Sequence, residues 1–155
     1  MTEPDQLKLA ALDEEDLAVV SAHVQDAVLK VEDLIYLPKE GRFVLAMNRF
    51  IWESVEGKRR GYERRRSALT FDRVRSVRTS RIPRDRGDAI LNLLAVEFEM
   101  DDAPAGAIIL IFADSAAIRL DVECVEVRLA DLGPAWATTA KPSHELGPDE
   151  TTSES

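Results

Sequence analysis

A chain of 155 residues, 45% hydrophobic and 32% charged, has the composition of one globular domain that can bury a core without disulfide or metal staples. Its single cysteine, Cys124, excludes an internal disulfide framework, and a net charge of −9 opposes generic nucleic-acid binding unless the cations are segregated. They are segregated: residues 58–86 hold twelve cations against three acids, a local charge of +9, which leaves −18 for the remainder.

Residues 1–6 are acidic and poor in apolar side chains, so they lack the basic and apolar regions of a secretory signal. No apolar run approaches the roughly 20 residues that span a bilayer as a helix. The expected setting is the cytoplasm, with no membrane contact.

Residues 7–12 form a short apolar stretch with the character of an edge strand. A helix is expected over residues 14–29: Asp13 is a cap, Glu14, Glu15 and Asp16 load the first turn, and Leu17, Val20, Val24, Ala27 and Val28 recur at helical spacing. The period then changes to two. Residues 34–37 and 42–52, joined by a turn at Lys39, Glu40 and Gly41, predict a β-hairpin whose second strand is apolar on both faces. Residues 53–63 read as a hairpin loop with Gly57 and Gly61, and strand pairing is expected to resume at Arg64, with Arg64, Arg66, Ala68 and Thr70 on one face and Leu69 and Phe71 on the other.

Val74 and Val77 break the alternation and predict a bulge, a bend or one helical turn. A polar loop follows over residues 80–88, then strands over 90–100, 107–112 and 117–120. Asp121, the spacing of Val122, Val125, Leu129 and Leu132, and the stop at Gly133 and Pro134 predict a second helix. The domain is expected to occupy residues 1–139, anchored by Trp52 and Trp136. Residues 140–155 are expected to form a disordered acidic tail, because so little apolar surface cannot offset the entropy of ordering.

The stretches LKLAALDEEDLAVVSAHVQDAV (7–28), LIYLPKEGRFVLAMNRFIWE (34–53) and AIRLDVECVEVRLADLGPAW (117–136) resemble an alphaproteobacterial family known as domain of unknown function 2948. That resemblance implies a bacterial cytoplasmic setting and transfers no functional residue. The fold class expected from the elements is α+β: an antiparallel β-sandwich or barrel with an N-terminal and a C-terminal helix, similar in order to a pleckstrin-homology-type barrel.

The candidate ligand-binding residues are Lys58, Arg59, Arg60, Arg64 and Arg66: two arginines on alternate positions of a strand, joined by three cations in the adjoining loop. Such a face suits an acidic protein surface, including a second copy of the chain, because charge matching steers association. The alternative is RNA or another polyanion on the same face, with Tyr62 stacking on a base. The opposing structural reading is a solvated face neutralised by Glu53, Glu56 and Glu63. Asn48 and Arg49 interrupt an apolar strand and predict either a buried polar bond or a ligand-facing pair. No catalytic residue, metal site or cofactor is expected: His23 with Asp26, and Asp121 with Glu123 and Glu126, lack a third-party ligand set, and Cys124 has no identifiable base. The functional expectation is a non-catalytic binding or scaffold module, with an enzyme ranked third.

Overall fold

Alternation of apolar side chains governs the architecture, seen in a computed structural model that describes residues 7–55, 58–133 and 136–137, with the backbone alone described for 52–55, 58–63 and 136–137. Among the described residues one α-helix, α1 (Glu14–Val24), lies among eleven strands. These are β1 (Lys8–Ala11), β2 (Ala27–Lys30), β3 (Leu34–Leu37), β4 (Arg42–Val55), β5 (Lys58–Phe71), β6 (Val74–Ser80), β7 (Ile90–Met100), β8 (Gly106–Phe112), β9 (Ala117–Val122), β10 (Val127–Asp131) and β11 (Trp136–Ala137). They hydrogen-bond in the order β1-β10-β5-β4-β2-β7-β8-β9-β6, with β3 on β4 and β11 on β5. Every pairing is antiparallel. The result is a mostly antiparallel α+β fold.

Helix α1 starts as its sequence requires: the Asp13 carboxylate accepts the Asp16 amide at 2.8 Å, and Leu17, Val20 and Val24 are buried. It ends earlier than the apolar spacing suggested. Asp26 adopts a left-handed conformation, φ 69°, and its amide donates to the Leu93 carbonyl, so Ala27 and Val28 belong to β2 rather than to a helix extending to residue 29. Residues 7–12 do supply an edge strand, and β3 and β4 form the expected hairpin, turned by Gly41 at φ 62°.

Two larger expectations are corrected. The stretch 53–63 is not a loop: β4 and β5 stay paired out to Val55 opposite Lys58. The C-terminal helix expected from Asp121 onward is instead the end of β9, a turn over residues 123–126, and β10. Within β10, Val127, Leu129 and Asp131 point inward, and β1 and β5 pair on its two sides. The intervening turn resets the alternation, which is why the apolar residues on both sides of it fall at helix-like spacing.

The bulge expected after Phe71 is present, as Arg73 at φ 62° and a register shift between Val74 and Ser76. The inward residues of β1, β4, β5, β6, β8, β9 and β10 join those of α1 in one cluster, so the sheet curls around a single core. Gly106 is required where β8 meets β7, since a Cβ there would lie 2.3 Å from the Glu99 carbonyl oxygen.

Candidate binding surface

Period two along β5 sends neighbouring arginines to opposite faces. Arg65 and Ser67 point into the core with Leu69 and Phe71, while Arg64, Arg66, Ala68 and Thr70 lie half-buried on the outer face. Arg64 and Arg66 therefore share a face, as expected. Lys58, Arg59 and Arg60 lie on β5 itself, opposite Val55, Ser54 and Glu53, rather than in a separate loop. Their side chains, like those of Tyr62, Glu53 and Glu63, fall outside the described residues, as do Glu56, the expected anchors Trp52 and Trp136 as side chains, and the tail over 140–155.

The two described arginines of the candidate set have partners within the fold. Arg64 places its guanidinium carbon 5.2 Å from the centre of the Phe50 ring, and its Nε is buried without a hydrogen-bond partner. Burial pushes its pKa down from the ordinary arginine value. Arg66 donates through Nη1 to Asn48 Oδ1 at 3.2 Å and through Nη2 to Asp33 Oδ1 at 3.3 Å. Asn48 thus serves as a structural acceptor.

Beneath this face lies a buried polar cluster. Asp131 receives a bidentate pair from Arg49, Nε to Oδ1 and Nη2 to Oδ2, both at 3.0 Å. Ser67 Oγ donates to Oδ1 at 2.6 Å, Arg65 Nη1 reaches Oδ2 at 3.4 Å, and the Leu7 amide donates to Oδ2 at 2.7 Å. All four side chains are buried, and Arg65 Nε has no hydrogen-bond partner. Burial alone would raise the Asp131 pKa, but the hydrogen bonds from Arg49, Ser67 and Leu7, with the charge of Arg49, hold it below the usual carboxylate value. The cluster ties β4, β5, β10 and the residue leading into β1 together. Its signal in the sequence is Arg65 at an inward position between Arg64 and Arg66, and a carboxylate continuing the inward series Val127, Leu129; reading 121–132 as a helix hid the second half.

The other half of the basic stretch behaves differently. Arg73 pairs with Glu126 at 3.2 Å, and Arg42 and Arg128 share Asp72 at 2.7 and 3.0 Å. Arg42, Asp72, Arg73 and Glu126, together with Lys39, Arg75 and Glu123, line an open cleft of about 580 Å³ whose opposite charges largely compensate one another. Beyond the cleft, Arg78 meets Asp121 at 3.4 Å with its side chain two-thirds exposed. Among the described residues, Arg81, Arg84 and Arg86 are exposed and their side chains form no hydrogen bond or ion pair.

His23 Nδ1 bonds the Val19 carbonyl at 2.9 Å within its own helix, and Cys124 sits half-buried in the 123–126 turn instead of in the first turn of a helix. Among the described residues, no cluster of three or more His, Cys, Asp or Glu side chains is arranged to hold a metal, and no helix is long and apolar enough to cross a membrane.

The model of the family described as "Protein of unknown function (DUF2948)" matches residues 7–144, so the chain belongs to that family. No curated protein and no solved structure matches the chain.

Proposed function

We propose that this protein is a non-catalytic binding module of the bacterial cytoplasm that contacts an acidic protein partner through its arginine-rich β4–β5 hairpin. The observation that carries the reading is the shape of that hairpin. Among the described residues, β4 beyond Asn48 pairs with β5 alone, and β5 on the Lys58 side of Glu63 pairs with β4 alone. Residues 52–55 and 58–61 therefore form a two-stranded arm past the body of the sheet, and the arm carries Lys58, Arg59 and Arg60. Arg64 and Arg66 stand at its base on the outer face. Cations held on an arm, in a chain whose residues outside 58–86 sum to −18, favour encounter with an acidic surface.

The analogy to a pleckstrin-homology barrel remains part of this proposal. An antiparallel run β7-β8-β9 in a sheet curled around one core supports it, and the helix position departs from it, since α1 lies between β1 and β2.

The test is affinity purification from cell extract with and without nuclease, comparing the parent with a chain carrying Lys58→Ala, Arg59→Ala, Arg60→Ala and Arg64→Ala. Retention of defined acidic proteins after nuclease, and their loss from the variant, is the expected result. Retention that disappears with nuclease, together with a mobility shift on RNA that weakens steeply with salt, would transfer the arm to nucleic-acid binding.

A further inference from the structure

We propose that the free edge of β6 is a second binding site, distinct from the hairpin, which takes an extended acidic segment of a partner protein as an added β-strand. β6 ends the strand order and pairs with β9 alone among the described residues, so beyond Val74, whose amide donates to the Gly41 carbonyl at 2.8 Å, its far side offers a row of main-chain donors and acceptors. Residues 73–84 contain five arginines and no acid. On β6 and just beyond it, Arg75 and Arg81 are exposed, Arg75 bonded only to the Val122 carbonyl at 3.4 Å and Arg81 to nothing.

The cross-strand register indicates what the missing strand carries. Arg78 sits directly opposite Arg119, a like-charge pair that is unfavourable by itself. Its compensation comes from one side: Arg119 reaches Glu99 at 3.3 Å and Asp121 at 3.5 Å, and Arg78 shares that same Asp121, which also accepts the Ser76 hydroxyl at 2.7 Å. The position beyond Arg78, across the open edge, holds no strand. A carboxylate there would complete the alternation of charge, and the intervening residues of the added strand would run beside half-buried Val77 and Thr79, whose β9 partners are Leu120 and Ile118. The segment is therefore an alternation of acidic and β-branched apolar residues.

The same charges exclude the commonest rival occupant. A second copy of β6 laid against this edge would bring Arg75, Arg78 and Arg81 against their own counterparts, with no acid in the strand to separate them. Cationic edges guard against self-pairing, and this one does so while remaining attractive to an acidic strand.

The probe is a fluorescent peptide of about eight alternating Glu and Val residues, the length of an ordinary strand, followed by anisotropy at low salt with the full chain. Binding is expected, weakened about tenfold or more by the pair Arg78→Glu and Arg81→Glu and unchanged by Lys30→Glu, a single charge reversal on exposed Lys30 of β2. Thermal unfolding of each variant establishes that it is folded. Methylating alternate peptide amides on the edge-facing side is expected to abolish binding, because strand addition needs those donors whereas charge attraction does not. Equal binding of the methylated peptide would overturn the proposal, as would no binding to the folded parent. Loss of binding in an Arg64→Ala, Arg66→Ala chain but not in the Arg78→Glu, Arg81→Glu chain would also overturn it, and would place the acidic segment on the hairpin instead.

Discussion

Residues 64–66 on β5 and residues 75–86 around β6 belong to one basic stretch, yet their guanidinium groups meet different surroundings. On β5, Arg65 is buried against Asp131, Arg66 bonds Asn48 and Asp33, and Arg64 lies over Phe50. Around β6 the arginines stand at a sheet edge and in the loop after it, and the side chains of Arg81, Arg84 and Arg86 form no hydrogen bond or ion pair among the described residues. The difference teaches that cation count is a poor guide to availability. A strand paired on both sides near the core turns every second charge inward, where it must be neutralised, whereas an edge strand leaves its charges in water.

The sharpest way to break this comparison is to remove the buried acid. Asp131→Ala leaves Arg49 and Arg65 in the core without their carboxylate, and is expected to cost about 3–5 kcal/mol, seen as a lowered denaturant midpoint. An unchanged midpoint would mean that the cluster contributes nothing to stability.

Acid titration gives a second test. The folded-state pKa of Asp131 lies below its unfolded value, so its contribution is fully present above the unfolded value, about 3.9, and is lost as pH falls through the folded value. Urea unfolding measured from neutral pH downward is expected to show stability falling below about pH 4 in the parent, and a shallower fall in Asp131→Asn. Parallel curves for the two chains would remove Asp131 from that acid dependence.

Arg66→Ala breaks a half-exposed pair with Asp33 and is expected to cost below about 1 kcal/mol in the same unfolding measurement. Smallest of all, Arg84→Ala and Arg86→Ala are expected to leave the unfolding midpoint at the parent value, since neither side chain touches a partner among the described residues. A drop comparable to that of Arg66→Ala would show that the two regions are not different in kind.

Local chemistry made much of the fold legible. Asp13 and the acids after it mark the start of α1, Gly41 marks the β3–β4 turn, alternation in its second half marks β7, and a continuous apolar run marks β8. The helix expected over 121–132 failed because turn residues 123–126 shift the phase between two strands, and periodicity alone does not distinguish that shift from a helical repeat. The hairpin expected to open at residue 53 stays paired because main-chain bonding does not require apolar side chains.

For the candidate site, the sequence by itself determined that the cations are concentrated in residues 58–86 and that Arg64 and Arg66 share one face of a strand, since both follow from composition and from the pleat. Only the tertiary structure decided which of those cations remain available. It brought Asp131, 66 residues away from Arg65, beneath β5, and left β6 without an outer strand among the described residues. The physical reason is that burial and pairing are properties of strand order, and strand order depends on contacts between segments far apart in the chain.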